Sequence, residues 1–168
     1  FDPNIRNLKS YLDPLVSYTY EPGSTMKTFS YMCAIQNGRY NGQDTFLSGS
    51  MTYTSAYNDK DTVTIKDWNS TGWGTITYDY GFAMSSNIGV ANLLKNKVIT
   101  KNELKACYEK FGFGKKTNIT LNNELTGDIS FKYDVEAATA GYGQGIMVSP
   151  IQILQGMTIV ANDGIMLK

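Results

Sequence analysis

Histidine is missing altogether from this 168-residue sequence. Its absence removes Ser-His-Asp and Cys-His nucleophile pairs from the chain, along with the commonest zinc ligand, so any nucleophile here needs another base. A surplus of charge is missing too. Fifteen Lys and Arg balance fifteen Asp and Glu, and no basic stripe interleaves with aromatics, so nucleic acid is not expected as a partner. No run approaches the roughly 18 uninterrupted apolar residues needed to span a bilayer. The opening FDPNIRNLKS has no signal-peptide pattern, so a membrane anchor is expected only outside this chain. Cysteine is scarce: Cys33 and Cys107 lie far apart, without paired metal or redox spacing, at positions that read as the apolar faces of two helices. Buried free thiols are the expectation.

What remains is a chain that is 42% apolar and 18% charged, the composition of one soluble globular unit. Residues 1 to 22, with Pro3, Pro14 and Pro22, read as an extended, turn-rich approach. From Ser24 the apolar positions Met26, Phe29, Met32 and Cys33 fall at helical spacing, and Asn37-Gly38 supplies a stop. Residues 39 to 71 should be loops and small strands, with β-type pieces MTYTSAY and TVTIKDW. A second helix is expected over Ile76 to Met84, and a third from IGVANLLKNK with Asn87 near its N-cap, which leaves Ser85 to Asn87 in a tight connection. Thr100 to Glu103 has the capping-box pattern and opens a helix that Gly112 ends. Ser149-Pro150-Ile151-Gln152 opens another, closed by Asn162-Asp163-Gly164, and the final IMLK reads as the beginning of a strand.

Ser24 and Lys27 stand three residues apart in EPGSTMKTF. That step puts both side chains on one helix face, and the first helical turn favours developing negative charge. A lysine held there can act as the base, provided burial or a neighbouring cation lowers a pKa that is ordinarily near 10.4. S-x-x-K alone is a weak signal that a capped helix with a solvated lysine also satisfies. Ser85-Ser86-Asn87 adds a hydroxyl able to relay a proton and an amide able to hold a substrate amide or position the lysine.

S-x-x-K followed by S-x-N makes up two of the three motifs of penicillin-binding proteins and class A β-lactamases. Together with the surroundings TIKDWN, GWGTITYDYGFAMSSNIGV, GYGQGIMVSPIQI and ANDGIML, nearly the whole chain resembles the transpeptidase domain of class B, monofunctional penicillin-binding proteins. The resemblance implies an α/β (α+β) penicillin-binding, serine β-lactamase-like transpeptidase fold. Residues 1 to 168 would be the N-terminal, mainly helical part of a single such domain. It implies Ser24 as acylated nucleophile, Lys27 as its base, Ser85 as proton relay to the leaving amine and Asn87 as the group that binds the substrate's peptide amide. It implies a peptidoglycan D,D-transpeptidase acting on stem peptides that end in D-Ala-D-Ala, with β-lactam antibiotics as mimics, and no cofactor or metal. Partners would be proteins of the division or elongation machinery, at the outer face of the bacterial cytoplasmic membrane. The family's third motif, Lys-Thr/Ser-Gly, does not occur in these residues, and Asn118 replaces its glycine in GKKTN. The isolated chain is therefore not expected to be an efficient enzyme, since losing one oxyanion-hole donor costs about a hundredfold or more. A serine β-lactamase, a β-lactam sensor domain and a non-catalytic scaffold are the alternatives.

Three further features stay secondary. Glu124 lacks the E-x-x-L-N context of a class A deacylating base, because Gly127 stands three residues on, and it reads as a loop carboxylate. Trp68 and Trp73 are candidates either for lining a substrate cleft or for packing a loop over the core. The GYGQG run, Gly141 to Gly145, lacks dinucleotide spacing and reads as a place of close backbone approach.

Overall fold

A computed structural model describes Asn4 and residues 10–54 and 62–167. In chain order its elements are helix α1 (Pro14–Ser17), a 3-10 turn (Gly23–Thr25) running into α2 (Met26–Gln36), and strands β1 (Thr45–Leu47), β2 (Ser50–Thr54), β3 (Thr62–Lys66) and β4 (Thr75–Thr77). Helices α3 (Tyr78–Ala83), α4 (Asn87–Lys95), α5 (Lys101–Lys110), α6 (Asp134–Gly141) and α7 (Pro150–Ala161) follow. The strands form two antiparallel pairs, β1 with β4 and β2 with β3, in register Phe46 to Ile76 and Thr52 to Thr64. Part of the expected extended approach, residues 1–3 and 5–9, and the end of MTYTSAY, residues 55–57, lie outside the described residues.

The chain divides into two compact units. One comprises Pro22–Cys107 and Ser130–Gly145. Its core is built where α2, α4 and α6 meet: Met26, Phe29, Ala34, Ile88, Ala91, Leu93, Ala137 and Ala138 are all fully buried. Each large side chain removed from water there contributes about 1.5–3 kcal/mol. The α6 sequence DVEAATAG has no large apolar residue besides Val135, so its packing surface is nearly bare backbone. Ser30 Oγ uses this by donating to Gly141 O at 2.6 Å. The apolar stripe that betrays a helix in sequence is missing from such an element, which is why α6 is absent from the sequence reading.

Cys33 and Cys107 are joined in a disulfide, with Cα atoms 6.0 Å apart and a sequence separation of 74. The expectation of free thiols is therefore wrong. Both cysteines do lie on apolar helix faces, but local pattern gave no sign that the two faces meet.

The other unit comprises Phe1–Glu21, Tyr108–Ile129 and Ile146–Lys168. Here α7 starts as its sequence predicts: Ser149 Oγ accepts from Gln152 N, Gln152 Oε1 accepts from Ser149 N, and Pro150 occupies the first turn. Gln152 is almost fully buried, and its amide donates to Lys115 O and Thr126 O, which ties two loops to the helix. Glu124 is a loop carboxylate, accepting from Thr117 N, Thr117 Oγ1 and Asn118 N. Residues 165–167 do not form the expected strand. They fold back on α7, with Leu167 N donating to Thr158 Oγ1 at 2.9 Å and Ile165 N to Asn162 O at 2.9 Å. A strand needs a ladder partner for those groups, and here a threonine side chain of α7 and the carbonyl of its C-cap residue take that place.

Candidate active site

Ser24 is delivered by a close approach of two backbone segments. Buried Pro22 leads into Gly23 at φ +58°, and Gly23 N donates to Gly143 O at 2.9 Å. Gly143 has φ +82°, and a β-carbon there would overlap the Gly23 carbonyl oxygen, so both conformation and proximity demand glycine. The GYGQG run does provide the close approach read from its glycines. The chain then tightens into the 3-10 turn, where Thr25 Oγ1 donates to Pro22 O at 2.8 Å, and continues as α2. Ser24 is exposed on this turn, and Lys27 follows one turn later with only 2% of its surface accessible.

The Lys27 ammonium is held by three acceptors. Nζ donates to Ser24 Oγ at 3.0 Å, Ser85 Oγ at 2.9 Å and Ser85 O at 2.5 Å. Burial penalises the charged form and lowers the Lys27 pKa to about 8, against a smaller opposing pull from the Asp67 carboxylate. At that value about one lysine in ten is neutral at pH 7, against about one in a few thousand for an unperturbed side chain. Spacing alone placed Ser24 and Lys27 on one face; the burial that makes the amine available was not legible from it.

Ser85 reaches Lys27 from the α3–α4 turn, 58 residues away in sequence. It adopts φ +56°, a left-handed conformation that costs a non-glycine residue roughly 1–2 kcal/mol. The turn is closed by Ser85 N to Phe82 O at 2.9 Å and Ser86 N to Gly81 O at 2.8 Å. The N-cap of α4 is Ser86, whose Oγ accepts from Gly89 N, so Asn87 is the first helical residue and not the cap. Asn87 does not bond to Lys27. Its Nδ2 donates to Lys66 O at 2.8 Å, which fixes the amide and makes Oδ1 its remaining acceptor. Trp68 is 71% exposed, donates from Nε1 to Met84 O at 3.0 Å, and meets Trp73 edge to face with centroids 5.5 Å apart. The indole of Trp68 thus sits on the residue preceding Ser85, while Trp73 supports it and donates its backbone N–H to Ser48 Oγ.

Asp67 is the member of this cluster that carried no sequence signal of its own. It is 4% exposed, with Oδ1 accepting from Ser86 Oγ and Ile88 N and Oδ2 accepting from Gly49 N. Its only trace in the sequence is its place in TIKDWN, directly before Trp68. Among the described residues no group of three or more Cys, Asp or Glu is arranged to hold a metal ion.

The family model of the penicillin binding protein transpeptidase domain matches residues 1–168. Stage V sporulation protein D of Bacillus subtilis is 33% identical over 150 residues, which cover 87% of this chain and 22% of that protein. Peptidoglycan D,D-transpeptidase FtsI of Escherichia coli is 29% identical over 153 residues, covering 89% of this chain and 24% of that protein. The chain thus spans about a quarter of the length of these curated relatives. Among solved structures, the transpeptidase domain of Burkholderia pseudomallei penicillin-binding protein 3 superposes with a TM-score of 0.77 at 26% identity, covering 89% of this chain and 44% of that one. With the serines of S-x-x-K and S-x-N brought to one lysine, and with these likenesses running through both compact units, the chain belongs to the penicillin-binding protein transpeptidase domain family, in its class B branch.

Proposed function

We propose that the protein is a peptidoglycan D,D-transpeptidase that is acylated at Ser24 and cross-links the bacterial cell wall. One observation carries this reading: a buried lysine, Lys27, lies between two serine hydroxyls, 3.0 Å from Ser24 Oγ and 2.9 Å from Ser85 Oγ. The Escherichia coli relative is itself named a peptidoglycan D,D-transpeptidase.

In the proposed reaction neutral Lys27 takes the Ser24 proton as Oγ attacks the carbonyl of the penultimate D-alanine. The tetrahedral intermediate forms at the start of α2, where the helix dipole favours the developing negative charge. Lys27 then returns its proton through the Ser85 hydroxyl to the departing amine, terminal D-alanine leaves, and an acyl-serine remains. An amino group of a neighbouring strand attacks that ester, Lys27 and Ser85 take its proton, and Ser24 is regenerated. Asn87 Oδ1 accepts from the substrate's peptide N–H, and the Trp68–Trp73 pair walls the cleft. A β-lactam follows the first half of this course, but its amine stays tethered and the acyl-serine persists.

The reaction of the family also draws on a Lys-Thr/Ser-Gly motif, which does not occur in these residues. No helix among the described residues is long and apolar enough to cross a membrane. A disulfide suits an oxidising compartment, which supports a location on the outer face of the cytoplasmic membrane, beside proteins of division or elongation.

The test is turnover by the full-length protein with a peptide ending in D-Ala-D-Ala and an acceptor amine. Release of D-alanine with formation of the cross-linked product, both lost in Ser24→Ala, is expected. Rapid hydrolysis of a β-lactam with no transfer product would instead make the protein a β-lactamase.

A further inference from the structure

We propose that Asp67 is a positioning residue for acylation: its buried carboxylate pins the Ser85–Ser86–Asn87 turn and so holds Ser85 against Lys27. The inference rests on the assignment of Ser24 and Lys27 as nucleophile and base.

The geometry is specific. Asp67 follows β3 directly, and its backbone N–H donates to Gly49 O at 2.9 Å while its Oδ2 accepts from Gly49 N at 2.9 Å. This reciprocal pair fixes the carboxylate to the β2 side of the unit. Oδ1 then reaches the catalytic turn, accepting from Ser86 Oγ at 2.9 Å and Ile88 N at 3.0 Å. Ser86 Oγ in turn caps α4 through Gly89 N at 2.8 Å. Two N–H groups of the first turn of α4 are therefore satisfied by Asp67, one directly and one through Ser86. Ser85 stands immediately before this anchor in its left-handed conformation, whose cost the anchor helps to offset.

A carboxylate is a costly way to hold a turn. Asp67 makes no ion pair among the described residues, and burying an unpaired charge is unfavourable even when donors surround it. The charge has a second target, however, because its field acts on Lys27 and favours the ammonium that burial disfavours. Of the elements around Lys27, α2 carries no other charged residue, β3 carries exposed Lys66 and α4 carries Lys95 in its last turn. Asp79 of α3 bonds to Tyr40 and Gln43, Asp134 and Glu136 lie in the first turn of α6, and the neighbouring Tyr31 phenol is held protonated by burial. Asp67 is the charged group of this set that acts on Lys27.

Asp67→Asn removes both effects together, and Ser86→Ala tells them apart. The amide nitrogen cannot accept a hydrogen bond, so one side of the clamp is lost, and the charge disappears with it. In the full-length protein, the rate of Ser24 acylation by a labelled penicillin should fall at least tenfold on its high-pH plateau. Its acid limb should shift to lower pH, because Lys27 loses the carboxylate that favours its proton. Ser86→Ala removes one clamp bond but keeps the charge: acylation should slow at least threefold with the acid limb unmoved. Asp67→Glu should restore the limb position more than the rate. A folded Asp67→Asn with a wild-type plateau, or with a slowed plateau and an unshifted limb, would overturn the proposal. If Asp67→Asn does not fold, wild-type acylation by Ser86→Ala would do so. Failure of the wild-type protein to label at Ser24 would instead overturn the transpeptidase assignment on which this rests.

Discussion

Lys27 is asked to be buried enough to lose its proton and polar enough to remain placed. Burial lowers its pKa to about 8, so the rate of Ser24 acylation should rise with pH through a single limb near pH 8, measured by stopped-flow labelling between pH 6 and 9.5. Lys27→Ala should reduce that rate at least a thousandfold with the fold retained. Lys27→Arg should do no better, because a guanidinium does not deprotonate in this range. The same depression enters stability. Below about pH 8 both folded and unfolded chains carry the ammonium and the burial cost is fully present; above the ordinary value of 10.5 neither does. Between these limits the unfolded state binds the extra proton, so stability rises with pH by up to roughly 3 kcal/mol. Urea melts of wild type and Lys27→Met at pH 8 and pH 10 should show that rise in the first and not in the second. At this scale the placement of Ser24 and Lys27 side by side was legible, because a three-residue step on a helix puts both side chains on one face. Asp67 was not, since a single acid in a loop has no periodicity to betray it, and its importance arises from contacts 18 to 21 residues away.

Elements with strong terminal chemistry were readable. The capping boxes at Thr100 and Ser149 and the stop at Asn37-Gly38 put α5, α7 and α2 within a residue or two of where they lie. The expected helix from Ile76 starts at Tyr78 because Ile76 is drawn into β4 by pairing with Phe46. Two failures came from tertiary context: α6 packs through small residues and so lacks an apolar stripe, and the pairing of Cys33 with Cys107 depends on which helices meet. Each has a test. Gly143→Ala should destabilise the protein by more than about 1 kcal/mol and slow acylation, because a β-carbon at positive φ collides with the backbone that presents Ser24. Thermal melts together with labelling rates check both parts. Reduction of the disulfide, or Cys33→Ala with Cys107→Ala, should cost roughly 2–4 kcal/mol, since the bond closes a loop of 74 residues in the unfolded chain. A denaturant midpoint indifferent to reductant would contradict that.

At the scale of the molecule, the mixed helix and sheet expected from the sequence is present, and the family model matches along the whole chain. Three separated segments cluster into one unit and two into another. That division is set by long-range contacts, which no local pattern encodes. The catalytic proposal lies wholly within Pro22–Cys107 and Ser130–Gly145, where Ser24, Lys27, Asp67 and Ser85 all reside. The measurement that tests it most directly is the site of covalent modification. The full-length protein is incubated with a β-lactam, digested and mapped by peptide mass. A long-lived adduct on the peptide carrying Ser24, absent from Ser24→Ala, is the predicted result; an unmodified Ser24 peptide, or an adduct on another residue, would contradict it.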